Sequence, residues 1–278
     1  MKTRILTSLV AVCVLIPVLI FSNTVVFPIA LAIVAALCVF EMTKCMGQRS
    51  LALTLPLYAI SIAAPFMMRY IAMRVFAVIS FILVSAYLLY IFTLIIMSHG
   101  RLTFSDALST FAICLYIIAA CTSIVYVRDF FGYGKYVYFL IFIGAWITDI
   151  FAYFTGVFFG KHKLIPDVSP KKTIEGSIGG TLFCAIFFVV FGLVIGAIDD
   201  GVNANLIFLF IAGIIIAIIS QIGDLIMSVI KRHYGIKDYG KIFPGHGGML
   251  DRFDSILAVS LGIAMVIAFS TLIGVNIL

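Results

Sequence analysis

The sequence predicts an all-α, polytopic integral membrane protein of about nine transmembrane helices, with its polar chemistry collected in loops at one membrane face. Three observations lead there. Of 278 residues, 64% are hydrophobic and 11% charged, where soluble domains carry about 25% charged residues. The apolar residues fall into runs close to the ~20 positions that a bilayer crossing needs. Those runs are uniformly apolar rather than alternating, so helices and not barrel strands satisfy their backbone groups in lipid.

Cut at its polar breaks, the chain yields spans at 5–21, 24–43, 51–68, 75–97, 104–127, 136–159, 177–198, 205–228 and 255–277. Lys2 and Arg4 ahead of the first apolar run have the outline of a signal peptide. No small-residue cleavage site follows Phe21, and the next span begins almost at once, so a retained first helix is expected. Pro17, Pro28, Pro56 and Pro65 blur the boundaries of the first three spans and leave room for one to be re-entrant. The longest hydrophilic stretches, 160–176 and 228–254, are too short to form a separate soluble domain.

Orientation follows from Lys and Arg. With the N-terminus inside, only Arg69, Arg74, Arg128 and Lys135 of the 18 basic residues fall outside. That bias places the N-terminus and both hydrophilic loops in the cytoplasm. The net charge of +6 is thereby explained by loops beside anionic lipid, and nucleic acid is not an expected partner. The six Cys lie in or at the ends of apolar runs, with no CxxC pair, and read as small buried hydrophobes rather than a disulfide or zinc framework. No internal repeat of the kind seen in transporters is evident.

Intramembrane acids are sparse. Glu41 lies near a span end, within reach of the interface, and reads as structural. Asp149 lies inside an apolar helix, and Trp146, Asp149, Tyr153 and Gly156 share one of its faces at spacings of three and four. An acid at such depth is expected to face the bundle interior, either in a functional site or as the buried partner of a cation. Gly156 and Gly160 suit close helix packing.

The loop after it contains Ser169-Pro170, Lys171, Lys172, Thr173 and Glu175. The lysines lie near a helix start, where free N–H groups and the dipole attract phosphate, unless they are a plain interfacial pair. Glu175 is placed to steady one of them. The eighth span then carries Asp224, Ser228, Lys231 and Arg232 along one face. After a glycine-rich loop with Gly245, His246, Gly247 and Gly248, Asp251 and Asp254 stand at i, i+3 where the last span begins. Carboxylates at this interface offer oxygen ligands for Mg²⁺. Cations beside glycines that free backbone N–H groups suit a polyanion such as a nucleotide phosphate. The other reading of the stretch is a basic loop that only fixes topology. His246 is open to three readings: a base, a phosphate donor or a loop residue.

The stretch Ser228-x-x-Lys231-Arg232-x4-Lys237-Asp238-x5-Pro244-Gly245-His246-Gly247-Gly248-x-x-Asp251-Arg252-x-Asp254 resembles the signature of the phosphatidate cytidylyltransferases, also called CDP-diacylglycerol synthases. Residues 146–156 and 169–176 resemble two further blocks of that family. The resemblance implies a nucleotidyltransferase that moves CMP from CTP to phosphatidic acid, giving CDP-diacylglycerol and pyrophosphate for phospholipid biosynthesis. It implies metal ligation by Asp224, Asp251 and Asp254, with Mg²⁺ and a second cation such as K⁺. Lys171, Lys172, Lys231, Arg232 and Arg252 become candidates for phosphate contacts, with Ser228 orienting one of them. Asp149, Thr173, His246, Gly247 and Gly248 become candidates for substrate binding. A homodimer is plausible by resemblance alone.

The chain is then expected to divide into 1–135, about five N-terminal transmembrane helices, and 136–278, the catalytic transmembrane region. A bacterial inner membrane is expected from compactness and the lack of long terminal extensions. Two alternatives stay in view. A CTP-dependent lipid-alcohol kinase would use similar helices and acids but lack the full signature around His246. A cation-coupled transporter would bury Asp149 and Asp224 on an ion path, but charge gathered at one face speaks against it.

Overall fold

An apolar run in lipid must satisfy its own N–H and C=O groups, and helices do so within one segment. The chain follows that rule almost throughout. The computed structural model describes residues 2–130, 132–245, 247–275 and 277–278, with the side chains of residues 2–8 outside the description. In chain order the elements are α1 (Lys2–Ile20), α2 (Val26–Cys45), α3 (Leu51–Tyr70), α4 (Met73–Met97), α5 (Phe104–Asp129) and α6 (Gly134–Val137). There follow α7 (Phe139–Phe159), β1 (Lys163–Ile165), β2 (Ser169–Thr173), α8 (Ile174–Ile198), α9 (Leu206–His233) and α10 (Leu250–Ile273). Among the described residues eight helical stretches, counting α6 and α7 together, are long and apolar enough to cross a membrane, and α1 adds the apolar stretch Leu9–Ile20. The protein is an integral membrane protein, and each expected span has its helix.

The prolines do not break the first three spans. Pro17 lies inside α1, and Pro56 and Pro65 lie inside α3, each a continuous helix. Pro28 stands in the first turn of α2, where a missing N–H has no helical partner to lose. Each of the first three expected spans is thus one helix without a break at its prolines. Polar residues fix several helix starts: Ser50 Oγ accepts from Leu53 N at 3.4 Å, and Asn205 Oδ1 accepts from Phe208 N at 3.0 Å.

The chain packs as two compact units, Met1–Val125 with Ile236–Arg252, and Tyr126–Gly235 with Phe253–Leu278. The second hydrophilic segment thus groups with the N-terminal helices, which a single cut in the sequence at 135 has no way to express. In the first unit the core gathers Ala35, Cys38, Val39 and Met42 of α2 with Leu53 and Leu57 of α3 and Cys114, Ile117 and Cys121 of α5. Tyr87 of α4 donates its hydroxyl to Leu53 O, and Thr43 and Tyr58 share a 2.8 Å hydroxyl contact. Four of the six cysteines are buried, as expected of small hydrophobes, while Cys45 is half-buried and Cys13 exposed.

In the second unit small residues let helices meet closely. A side chain at Gly144 of α7 would run into Ile216 of α9, and one at Gly213 of α9 would run into the backbone of Ala185 of α8. At the far end of this unit Lys135 and Tyr136 reach Asp199 Oδ2 at 3.3 and 3.0 Å, fastening the start of α7 to the α8–α9 connection. The Tyr136 hydroxyl, then Gly201 N–H and Lys135, hold the Asp199 carboxyl below the usual carboxylate range. Large apolar side chains such as Phe81, Ile96, Ile207 and Leu272 point outward, as lipid-facing residues do.

Candidate active site

The loop after α7 is a hairpin, the one piece of sheet among the described residues. β1 and β2 pair antiparallel with Lys163 opposite Thr173 and Ile165 opposite Ser169. Side chains alternate along a strand, so Lys171 and Lys172 point to opposite faces. Lys171 is exposed, whereas Lys172 Nζ lies 2.5 Å from Asp224 Oδ2 on α9, with about a quarter of each side chain accessible (26% and 25%). The apparent lysine pair is thus split, and only its second member joins the acid.

Pairing also decides what Glu175 does. Ile174 N donates to His162 O at 3.0 Å, which draws His162 beside the first turn of α8. Glu175 Oε1 meets His162 Nδ1 at 2.6 Å, and its carboxylate accepts from His162 N at 3.3 Å. Glu175 therefore clasps His162, the residue just before the hairpin's first strand, and does not steady a lysine, contrary to the expectation from sequence. Thr173 caps α8, its hydroxyl accepting from Gly176 N at 3.1 Å. Gly156 of α7 leaves the space that this hydroxyl occupies, the packing role expected of it. Below the hairpin Gln221 links α8 to α9: Ser177 Oγ donates to its Oε1 at 2.5 Å, and its Nε2 donates to Thr181 Oγ1 at 3.0 Å.

Around Asp224 the second unit concentrates charge. Ser255 Oγ of α10 donates to Asp149 Oδ2 of α7 at 3.1 Å. Asp149 interacts electrostatically with Asp224 and Lys172, and Asp254 with Asp224, Lys231 and Asp149. Three carboxylates thus face two lysines in one electrostatic neighbourhood. α9 carries Ser228 one turn beyond Asp224 and Lys231 two turns beyond, with Arg232 exposed beside it. Asp149 faces α10 through Ser255, as expected of an acid turned to neighbouring helices, while the α7 face that it shares with Trp146 and Tyr153 stays accessible.

In the first unit the glycine-rich loop is folded around two other carboxylates. Asp251, 7% exposed, accepts from Tyr239 N at 2.8 Å and Gly248 N at 2.9 Å, both at Oδ2. Glu41, 2% exposed, accepts from Met249 N at 3.0 Å and Leu250 N at 2.8 Å. Phe243 N donates to Gly247 O at 2.9 Å, closing the tip. Gly247 has φ +88°, a conformation open to glycine, and a side chain there would also strike Asp251. The Gly248 N–H, expected to be offered to a polyanion, is donated to Asp251. Arg252 is exposed. His246 lies outside the described residues.

Glu41, read from the sequence as structural, is buried beneath the signature loop and anchors it through backbone N–H groups. The signal was present, since an acid within an apolar helix is functional by default. Among the described residues no three His, Cys, Asp or Glu side chains converge tightly enough to hold a metal ion. Arg101 lines a cleft of about 540 Å³ with Arg49, Gln48, Ser98 and Asp106.

Acids and lysines gathered inside a membrane-embedded unit and, separately, a glycine-rich loop shaped by carboxylates are traits that suit a membrane enzyme acting on anionic substrates. The chain belongs to the cytidylyltransferase family, whose model matches residues 2–270, and it is a nucleotidyltransferase. It is 36% identical over 272 residues to the phosphatidate cytidylyltransferase of Staphylococcus haemolyticus (strain JCSC1435), covering 93% of this chain and 96% of that protein. The protein of the same name in Staphylococcus aureus (strain COL) is 36% identical over 267 residues, with the same coverage. That of Staphylococcus saprophyticus is 35% identical over 266 residues.

Proposed function

We propose that this protein transfers the cytidylyl group of CTP to phosphatidic acid. An oxygen of the lipid phosphate attacks the α-phosphorus of CTP, the bond from that phosphorus to the bridging oxygen of the β-phosphate breaks, and the electron pair leaves with pyrophosphate. CDP-diacylglycerol remains in the membrane. The observation that carries this reading is the Lys172–Asp224 ion pair, which ties a surface hairpin to a membrane helix in the electrostatic neighbourhood of Asp149 and Asp254. The barriers to joining two anions are repulsion and alignment, and both yield to fixed cations.

Lys172 and Lys231 lower the repulsion between the two phosphates, and the exposed Lys171, Arg232 and Arg252 draw the nucleotide in. Ser228 orients one phosphate. Asp149, held by Ser255, shapes the site, with Thr173, His246, Gly247 and Gly248 as further substrate contacts. Because the lipid phosphate is itself a nucleophile, no covalent enzyme intermediate is required.

A divalent cation fits the donor set, since hard carboxylate oxygens outnumber lysines around Asp224 and Asp254. We assign Mg²⁺ to Asp224 and Asp254, with Asp251 added from the resemblance of the signature and a second cation such as K⁺ on the same ground. When bound, Mg²⁺ supplies charge neutralisation on the leaving pyrophosphate. A soluble nucleotide requires the loops to face the cytoplasm, in line with the distribution of Lys and Arg. The membrane is then the bacterial inner membrane, and a homodimer is the assembly that the resemblance favours.

The test is an assay of purified protein in mixed micelles with phosphatidic acid, Mg²⁺ and CTP labelled at the α-phosphate. Label should enter the lipid phase only when phosphatidic acid is present, and EDTA should prevent it. Transfer from the γ-position into a lipid alcohol would replace this reading with a lipid kinase. No transfer from either position by folded protein would send the search to ion flux.

A further inference from the structure

We propose that Glu41, on the second helix, is a positioning residue of the transferase: it holds the glycine-rich loop and the first turn of α10 in working geometry. The inference rests on the reading of the signature loop as part of the cytidylyltransferase site. Glu41 is 2% exposed, and its two oxygens take the N–H groups of Met249 and Leu250 at 3.0 and 2.8 Å. Those N–H groups belong to the opening of α10, where no helical carbonyl is available to them. A carboxylate placed there also meets the positive end of the helix dipole.

The loop is built to admit this side chain. A Cβ on Gly240 or on Gly248 would collide with the Glu41 carboxylate, so both glycines are required by a residue some 200 positions away in sequence. Asp251 follows directly on Leu250 and is anchored in the same way to Tyr239 N and Gly248 N. Two buried carboxylates therefore share four N–H groups of residues 239–250, and release of one loosens the seat of the other. Glu41 touches no substrate in this arrangement. It acts through the placement of Asp251 and Arg252.

Glu41→Gln isolates the effect with little change of volume. One oxygen becomes an NH₂ group, which faces an N–H donor of Met249 or Leu250 and can no longer accept. The experiment compares wild type and Glu41→Gln as full chains in detergent, following hydrogen–deuterium exchange of 239–252 alongside transferase kinetics. Exchange should accelerate in that segment, and kcat per folded molecule should fall about 10–100-fold, the usual cost of losing a group that orients a ligand. KM for phosphatidic acid should move less than about 2-fold, because binding of the lipid is not what Glu41 governs. If Glu41→Gln does not fold, Gly240→Ala takes its place, since a side chain there pushes the same carboxylate aside.

Faster exchange with unchanged kcat would reduce Glu41 to a scaffold residue and overturn the proposal. Unchanged exchange would overturn it at the first step. Wild-type protein without transferase activity would sink the proposed function and the catalytic half of this inference with it, and the exchange result alone would then judge the loop anchor.

Discussion

The two units use carboxylates in opposite ways. In the first unit Glu41 and Asp251 are bound by backbone N–H groups of residues 239–250. In the second, Asp149 and Asp224 are bound by side chains, Ser255 and Lys172, and Asp254 adds a third negative charge nearby. A backbone donor cannot leave without unfolding its loop, so the first pair sets shape. A lysine or serine on a rotatable stem can exchange partners, so the second group is suited to receive a substrate. On the proposed function, Lys172 would exchange Asp224 for a substrate phosphate, leaving that carboxylate for a cation.

The sharpest way to break this contrast is Asp251→Asn. The asparagine oxygen can keep the acceptor role toward Tyr239 N and Gly248 N, so the loop should stay folded. The negative charge is lost, and turnover should fall about 10³-fold or more if that charge serves a cation or phosphate in the reaction. Activity per monodisperse protein, measured against the exchange of 239–252, checks both halves. Near-normal turnover would mean that Asp251 only shapes the loop and would remove it from the metal assignment.

A smaller effect is expected from the second unit's ion pair. Lys172→Gln should lower kcat/KM for CTP about 10–100-fold, because it removes one fixed cation from phosphate alignment. Asp224→Asn should cost more, and the double variant should not add, with a coupling of roughly 0.5–3 kcal/mol. Additive losses would show that the pair is a static link between hairpin and helix, and the exchange of partners described above would fail.

The sequence reveals what repeats and what is costly, and it hides what depends on pairing. Nine apolar runs of bilayer length leave little choice but helices, and an acid such as Asp224 inside one marks a site because lipid penalises it. That Lys172 and not Lys171 reaches Asp224 depends on the strand register, and nothing in Ser169-Pro170-Lys171-Lys172 announces a hairpin. Glu175 turned to His162 for the same reason. Glu41 was visible as an intramembrane acid, but its partners are backbone N–H groups of Met249 and Leu250, which any residue type would supply. The glycines of the loop read as donors for phosphate; Gly248 is instead a glycine because Glu41 needs the room. Contacts of side chain to backbone leave no complementary residue to find in the sequence.

The smallest expected effect lies in the first unit, away from its loop. Arg101 and Arg49 line a cleft with Gln48, Ser98 and Asp106, and Leu94, Met97 and Leu102 form its apolar wall. Both arginines are exposed, and exposed charges at a helix end contribute little on their own. Gln48 Nε2 donates to Asp106 O at 3.4 Å, and this link across the cleft does not involve Arg101. Arg101→Gln should therefore leave kcat and both KM values within about 2-fold of wild type, the range in which a charge remote from the reacting groups leaves the transition state alone. A loss of the size expected for Lys172→Gln would show that the first unit binds substrate through its cationic cleft as well as shaping the loop, and the division of labour between the units would have to be redrawn.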